Sequence, residues 1–503
     1  MEKKKKKILI YITILSASLL LNSCSDWLDV QPSTDKDRAD LVESADGYMK
    51  MLYGTYINLT SPSLYGANLT FGFVSSLGRD YVKNLSDVGS GWSAVHWSYN
   101  DNSIRGTYID PVWSQMYNNI ANVNSIHADI EDHKSQFRTS EYGLVAGEAY
   151  AERAMMHFDL LRLFAPNYVG NEDVVAIPYV TSYEAARNEH LKARDVMKHV
   201  IEDLDKAESL MSEAGDPLIK QAQAITYNGK GEFTANRQYH LNYWAAIALK
   251  ARAYLYMGDK ENALKCAKKV IDEAPFGWTT EAEMAAGDKV MQSELIAALE
   301  VATLPDLYDR YFDSQLFILS EEGYWGAADN VHTLKIFEDA NDYRYLYTFK
   351  KDGRGNNFAL SNKYEQETGN SKAMKKQTVP LIRKGEMYLI AAECLAESNP
   401  TEAIALLREL KKHRGYFAAD AGVADGSDAN TIKAMVKSEM RKETYAEGQY
   451  WFFLKRTGVT VPDFGWQGSL TLTPEQFRFP MPEMEKEYGY IPSTENTEKE
   501  KSN

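Results

Sequence analysis

The chain predicts an all-α protein, in the main a tetratricopeptide-like helical-repeat superhelix interrupted by long irregular loops. Three observations lead there. Apolar residues recur at helical spacing over several stretches. One small-residue template for a helix pair occurs twice. Two long stretches rich in Gly, Asn, Ser, Tyr and Trp show no sustained helical period, and such loops in a compact chain tend to carry function. With 503 residues and 44% hydrophobic content, there is ample material for a large core.

The N-terminus comes first. Lys3 to Lys7 are basic, Ile8 to Leu21 are apolar, and Leu21-Asn22-Ser23-Cys24 follows directly. This is the layout of a secretory signal. The apolar run falls short of the roughly 20 residues that a membrane-spanning helix needs. A cysteine at that point resembles the bacterial lipobox, whose cysteine is acylated and becomes the mature first residue. Residues 1–23 therefore read as a lipoprotein signal peptide and Cys24 as the lipidation site. Several acyl chains supply a stable anchor, each buried methylene contributing about 0.8 kcal/mol. The polar, acidic stretch SDWLDVQPSTDKD then reads as a flexible tether over residues 24–40. Residues 41–503 contain no further long apolar run and form one expected helical domain, with loop regions at 58–112 and 276–380.

Within that domain, Ala146, Ala149, Tyr150, Met156, Leu160, Leu161 and Phe164 predict a helix over 142–164, ended by Pro166. Met197, Val200, Ile201, Leu204, Ala207 and Met211 line one face of a helix from about 191 to 211, whose other face is charged. Residues 247–275 fit a tetratricopeptide pair: Ala251 and Ala263 permit close approach, Tyr254 fills the space beside them, and Gly258-Asp259 makes the turn. The template returns over 387–415 with Ala391 and Ala403 as the small pair, packing positions Ile390, Leu407 and Leu410, and a turn at Asn399-Pro400. The helices at 142–164 and 191–213 supply a third, irregular pair, and a final helix is predicted from Thr431 to Leu454. Because such units cannot bury their apolar faces alone, they are expected to stack into one scaffold.

Composition narrows function. Fifty-six Lys and Arg against 71 Asp and Glu give a net charge of -15, which repels a phosphate backbone, so no nucleic-acid partner is expected. Cys24, Cys266 and Cys394 form no CxxC pair and lie near no histidines at ligand spacing. Cys266 and Cys394 read as small buried hydrophobes, and neither a metal nor a cofactor is predicted. HExxH, GxSxG, a complete GxGxxG and the Walker A pattern are absent. Gly353-Arg354-Gly355 and Gly229-Lys230-Gly231 read as turns, His157 as a packed helix residue, and the loop Asp420 to Asn430 as a solvated turn rather than a calcium loop. No catalytic residue is assigned, although a chain with 71 acids leaves a two-carboxylate hydrolase open.

The candidate ligand-binding residues are aromatic: Trp92, Trp97 and Tyr99 in the first loop region, beside His96, Asn100 and Asp101; then Tyr308, Tyr311, Tyr324 and Trp325 in the second, beside Phe312. Flat rings stack on the apolar faces of sugars as they do on bases, and polar neighbours reach the hydroxyls.

Several segments together resemble the SusD/RagB family of Bacteroidetes surface nutrient-binding lipoproteins. They are CSDWLDVQP, VWSQMYNNIANVNSI, GEAYAERAMMHFDLLRLFAPNY, IPYV, LKARAYLYMGDKENALKCAKKVI, LIRKGEMYLIAAECLAE, EMRKETYAEGQYWFFLKR and FRFPMP, spread in order over nearly the whole mature chain. The resemblance implies four tetratricopeptide-like units and irregular loops that carry the ligand site. It further implies a lid-like position over a TonB-dependent, SusC-like outer-membrane barrel, and a non-enzymatic role in capturing an oligosaccharide outside the cell. It also implies surface export signalled by an acidic stretch after the cysteine, a part that Ser25, Asp26 and Asp29 serve here, diluted by Trp27 and Leu28. A peptide ligand is the nearest variant, a helical protein-interaction scaffold the runner-up, and a surface hydrolase the third reading.

Overall fold

Small residues, Asx caps and left-handed glycines account for the helical body. In the computed structural model, residues 38–81, 83–84, 97–99, 101–138, 140–184, 186–222, 233–313, 317–320, 336–351, 358–365, 377–418, 420–458, 461–463 and 468–489 are described. Its longer helices are α1 (Ala45–Leu59), α2 (Asp110–His127), α3 (Glu141–Phe164), α4 (Ala193–Ala214), α5 (Tyr243–Met257), α6 (Lys260–Glu273), α7 (Lys384–Leu395), α8 (Pro400–Lys412), α9 (Ala429–Glu443) and α10 (Gln449–Thr457). From α1 to α8 each helix packs on the next, so the body is a solenoid of antiparallel pairs, as predicted.

Both template pairs form in their predicted register. Asn242 caps α5 by accepting from the Ala245 N–H, Asp259 caps α6 through Asn262, and Asn399 caps α8 through Glu402. Gly258, at φ 80°, makes the turn between α5 and α6, a conformation costly for a residue with a Cβ. Ala251, Ala263, Ala391 and Ala403 are fully buried. The third pair, α3 and α4, closes on glycines that sequence reading passed over. A Cβ at Gly143 would meet the Leu210 carbonyl oxygen at 2.6 Å, and one at Gly147 would meet Met211 Cγ at 2.7 Å.

Three expectations change. The helix predicted over 431–454 is two, α9 and α10, separated by residues 444–448, where Ala446 (φ 58°) and Gly448 (φ 76°) turn left-handed. Residues far back in the chain fix this break: Asp80 Oδ2 accepts from the Ala446 N–H at 3.0 Å and Ser75 Oγ from the Gly448 N–H at 3.2 Å. Helix α1 was not foreseen, and α2 starts inside the first loop region. The tether stops short of residue 40, because Arg38 already lies in a helical turn and donates to Asp129 at 2.8 Å and to the Ser125 carbonyl at 2.9 Å. Cys24 and residues 1–37 lie outside the described residues. No helix among the described residues is long and apolar enough to cross a membrane.

The strands are short. They are β1 (Lys83–Asn84), β2 (Val175–Pro178), β3 (His190–Lys192), β4 (Leu295–Glu300), β5 (Phe317–Ser320), β6 (Phe349–Lys351), β7 (Phe358–Ser361), β8 (Thr378–Arg383), β9 (Val461–Asp463) and β10 (Gly468–Leu470). β4 pairs antiparallel with β8, which leads directly into α7. A four-stranded sheet of order β1-β5-β7-β6 gathers strands from both loop regions.

Beneath that sheet lies a cluster of charges. Glu443, at the end of α9, accepts from Arg344 (3.0 Å), Arg383 (2.5 Å) and Arg414 (2.7 Å). Arg414 also bridges to Glu294, Arg383 and Lys363 to Glu447, and Arg344 to Glu439 and Asp342. All of these side chains are buried. Burial alone would lift the Glu443 pKa, but the Arg414 and Arg383 guanidiniums hold it well below the carboxylate range. The carboxylate comes so close to Gly385, on α7, that a Cβ there would collide with it.

Candidate functional site

The face where the two loop regions meet is set by one pairing, β1 with β5, in which Lys83 lies opposite Ile318 and Asn84 opposite Phe317. Two regions more than 200 residues apart thereby share a sheet. Aromatic rings lie beside it, the Tyr308 hydroxyl donating to the Ser361 carbonyl of β7. Phe71 packs on Phe312 and Tyr364 at 5.8 and 4.9 Å, Tyr81 donates to the Phe71 carbonyl at 2.6 Å, and Tyr364 donates to the Ala446 carbonyl at 2.9 Å. Lys363, held by Glu447 and the Tyr445 carbonyl, ties this floor to the charge cluster below.

Asp80 sits in the same floor, fully buried. Burial raises its pKa to about 6, against the opposing pull of the Ser75 hydrogen bond and the Arg441 charge. Next to it, Arg79 (φ 60°) and Trp97 (φ 52°) both adopt the left-handed backbone region, and the guanidinium lies 4.6 Å over the indole. Two residues in this backbone region, held together, mark a place where the surrounding structure dictates conformation.

The structure corrects the role of three candidate aromatics. Trp97 is 6% exposed and stacked under Arg79. Tyr99 is buried, with its hydroxyl donating to the Gln476 carbonyl at 2.8 Å and its ring edge-on to Phe479. Tyr308 is buried against Phe312 and donates to the Ser361 carbonyl at 3.3 Å. These rings are spent on packing, where each removes some 150–250 Å² from water, so they brace the loops and present no open platform. Phe312 is likewise core. Trp92, Tyr324 and Trp325, with His96 and Asn100, lie outside the described residues, as do both glycine-rich fragments.

Tyr311 differs. It is only partly buried, edge-on to Phe71 at 5.9 Å, with Arg310 at 5.8 Å from its ring. Its neighbour is Tyr108, which sequence reading missed: a partly buried ring stacked on Phe73 at 4.7 Å and 11°. Burial raises the Tyr311 pKa first, and the Tyr108 phenol adds to the shift. Both tyrosines stand in five-residue π-helical turns, Arg105–Ile109 and Asp309–Asp313. Such turns are rare and recur at functional sites because they re-aim a side chain. The only available sequence signal for Tyr108 was its place in the first loop region, ahead of Pro111. The C-terminal segment braces this side: Arg105 donates to the Met481 carbonyl at 3.1 Å and pairs with Glu483 at 2.7 Å, and the Phe479 N–H bonds the Leu163 carbonyl of α3.

The titratable groups singled out in the sequence have structural partners. Glu148 and Glu152, one turn apart on α3, are shifted in opposite directions. Burial works against Glu148, but Arg237 and His240 hold its pKa at about 2, while burial pushes Glu152 well up. Both are wholly enclosed, and no substrate reaches them. His157 is packed, with its Nδ1 on the Arg153 carbonyl and its Nε2 accepting from the Val180 N–H. In the loop 420–430, Asp420 accepts from the Gly422 N–H, Asp425 pairs with Arg408, and Asp428 caps α9, so its oxygens serve a turn. No group of acids, histidines and cysteines among the described residues is arranged to hold a metal ion. Cys266 and Cys394 are buried free thiols.

Comparison with known proteins agrees with this architecture. A model described as the SusD family matches residues 312–502, and a second, described as starch-binding associating with outer membrane, matches residues 26–228. A SusD-like protein of Formosa agariphila is 23% identical over 93% of this chain and 95% of its own length. The chain belongs to the SusD/RagB family. SusD-superfamily structures share its fold. One from Bacteroides thetaiotaomicron superposes with a TM-score of 0.70 at 20% identity, covering 89% of this chain and 99% of that one. A putative sugar-binding protein from Bacteroides vulgatus gives 0.66 at 20% identity, covering 89% and 98%. A laminarin-binding SusD-like protein gives 0.57 at 17% identity, covering 88% and 98%. In this SusD/RagB chain, then, the helical body carries a face on which both loop regions converge.

Proposed function

We propose that the protein is a cell-surface lipoprotein, anchored through Cys24 in the outer membrane and facing outward. It captures an oligosaccharide and delivers it uncleaved to a TonB-dependent, SusC-like barrel. The observation that carries this reading is the Tyr108–Tyr311 pair, two partly exposed rings set on π-helical turns where the loop regions join. Rings such as these suit the apolar faces of sugars, and Arg310, exposed beside Tyr311, is of the donor type that reaches hydroxyl groups. Trp92 follows β1 by eight residues, and Tyr324 and Trp325 follow β5 by four and five; we assign these three to the same site. The names of relatives, sugar-binding and laminarin-binding among them, support a glycan as the ligand class.

The burial of Trp97, Tyr99 and Tyr308 favours a second reading, a protein-interaction scaffold without a nutrient ligand. Calorimetric titration of the mature chain with laminarin fragments, other oligosaccharides and peptides separates the readings. Saturable binding of an oligosaccharide that chromatography recovers intact is expected. Binding of peptides alone points to a peptide-uptake role, failure of every ligand points to the scaffold, and a shortened oligosaccharide contradicts the non-enzymatic reading. Metabolic labelling with a fatty acid tests the anchor: Cys24→Ala is expected to lose the label, and equal labelling refutes lipidation.

A further inference from the structure

A cavity lies where α3, α5, α7, α9 and α10 converge. Its volume is about 40 Å³, against the roughly 10–15 Å³ that one water requires. Three guanidiniums, from Arg162, Arg252 and Arg456, line it together with the Gln449 amide. Arg162 and Arg252 are 3% and 9% exposed, while Gln449 and Arg456 are half-buried and form the mouth.

Each guanidinium already has a carboxylate. Arg252 Nε and Nη2 bond Glu386 at 2.8 and 2.6 Å, and Nη2 also reaches the Leu381 carbonyl at 3.1 Å. Arg162 bonds Asp159 through Nε and Nη2, and Arg456 bonds Glu393 through Nη1 and Nη2. Charge is therefore balanced, and hydrogen-bond capacity is the deciding quantity. A guanidinium has five N–H donors and a glutamine amide two. Arg252 Nη1, Arg456 Nε and Gln449 Nε2 have no acceptor among the described residues, and Arg162 Nη1 has only a long 3.3 Å contact with Gln449 Oε1. On the acceptor side, Glu386 is the one carboxylate lining the space, and both its oxygens are engaged by Arg252. The remaining walls are mostly apolar, with Phe453 and Ile390 among them, and the Tyr256 hydroxyl donates to the Pro166 carbonyl at 3.4 Å. A space walled by surplus donors and apolar surface matches a guest that only accepts.

We propose that this cavity binds one small monovalent anion of the halide or carboxylate class, held by Arg252, Arg162 and Gln449, which fastens α10 to α3, α5 and α7. Bromide is the probe, because it scatters anomalously. Crystals of the mature protein grown in bromide are expected to show an anomalous peak in the cavity, within hydrogen-bonding distance of Arg252 Nη1 and Gln449 Nε2. In thermal unfolding at matched ionic strength, bromide and formate are expected to raise the melting temperature saturably over gluconate, which is too large to enter. Gln449→Ala leaves all three ion pairs in place and is expected to weaken the apparent bromide affinity about tenfold. Water alone in the cavity at high bromide, together with melting curves that do not distinguish the three anions, overturns the proposal. The wild-type crystal decides the matter even if the variant fails to fold.

Discussion

The helix pairs and the junction below the loop face are held together by opposite chemistry. Between α5 and α6, and between α7 and α8, contact runs through buried alanines and aliphatic side chains. Around Glu443, three arginines converge on one carboxylate, and Glu294, Glu439 and Glu447 complete the balance. An apolar contact that loses or gains a methylene repacks and loses part of its stabilisation. A buried charge that loses its partner leaves the remaining charges desolvated with nothing to offset them. The body therefore tolerates change by degrees, whereas the floor of the candidate site depends on every member of its cluster.

The largest effect that tests this contrast belongs to the junction. Glu443→Ala or Arg414→Ala is expected to destabilise by about 3–5 kcal/mol, measured by urea unfolding. If Glu443→Ala costs no more than a surface substitution, the junction carries no such role. Ala251→Phe and Ala391→Phe overpack the close helix contacts and are expected to cost about 1–3 kcal/mol each. Unchanged melting temperatures for both refute the repeat register.

Acid separates two kinds of buried carboxylate. Glu439 is held at about 2 because Arg344 and Lys442 outweigh its burial, and Glu148 is held at about 2 by Arg237 and His240. Both lie below their ordinary 4.5, so their stabilisation is present above that value and is lost as pH falls from 4.5 towards 2. Asp80 and Asp288 behave oppositely: burial raises them from 3.8 to about 6 and about 7, so the native state binds their protons first. Their effect is to increase stability as pH falls through 7 and 6. Melting temperature is expected to rise gently on acidification and then collapse below about 4.5. Asp288→Asn is expected to flatten the rise while leaving the acid collapse in place, and an unchanged profile contradicts the assignment.

The same contrast explains what was readable in the sequence. Helix pairs announce themselves by period, so Ala251, Ala263, Ala391, Ala403 and Gly258 fell in their observed places. Arg344, Arg383, Arg414 and Glu443 look in sequence like any solvated charges, and only the fold brings residues 344 to 443 to one point. The break at 444–448 was hidden for a related reason, since Ser75 and Asp80, some 370 residues earlier, create it. At the candidate site the aromatic-rich stretches stood out by composition and the orientation of the individual rings did not. Trp97, Tyr99 and Tyr308 have the same composition around them as Tyr311, and which of them faces outward is decided by Arg79, Gln476 and Phe312, distant or indistinct in sequence.

One measurement tests the central claim most directly: affinity for the best oligosaccharide in Tyr108→Ala, Tyr311→Ala and the double variant, each checked for fold by circular dichroism and melting temperature. Both rings are only partly buried, so stability is expected to change little. Losing a stacking platform is expected to weaken binding about 5- to 150-fold, and the double variant to weaken it further. Folded variants that bind as tightly as the wild type would contradict the placement of the ligand on this face.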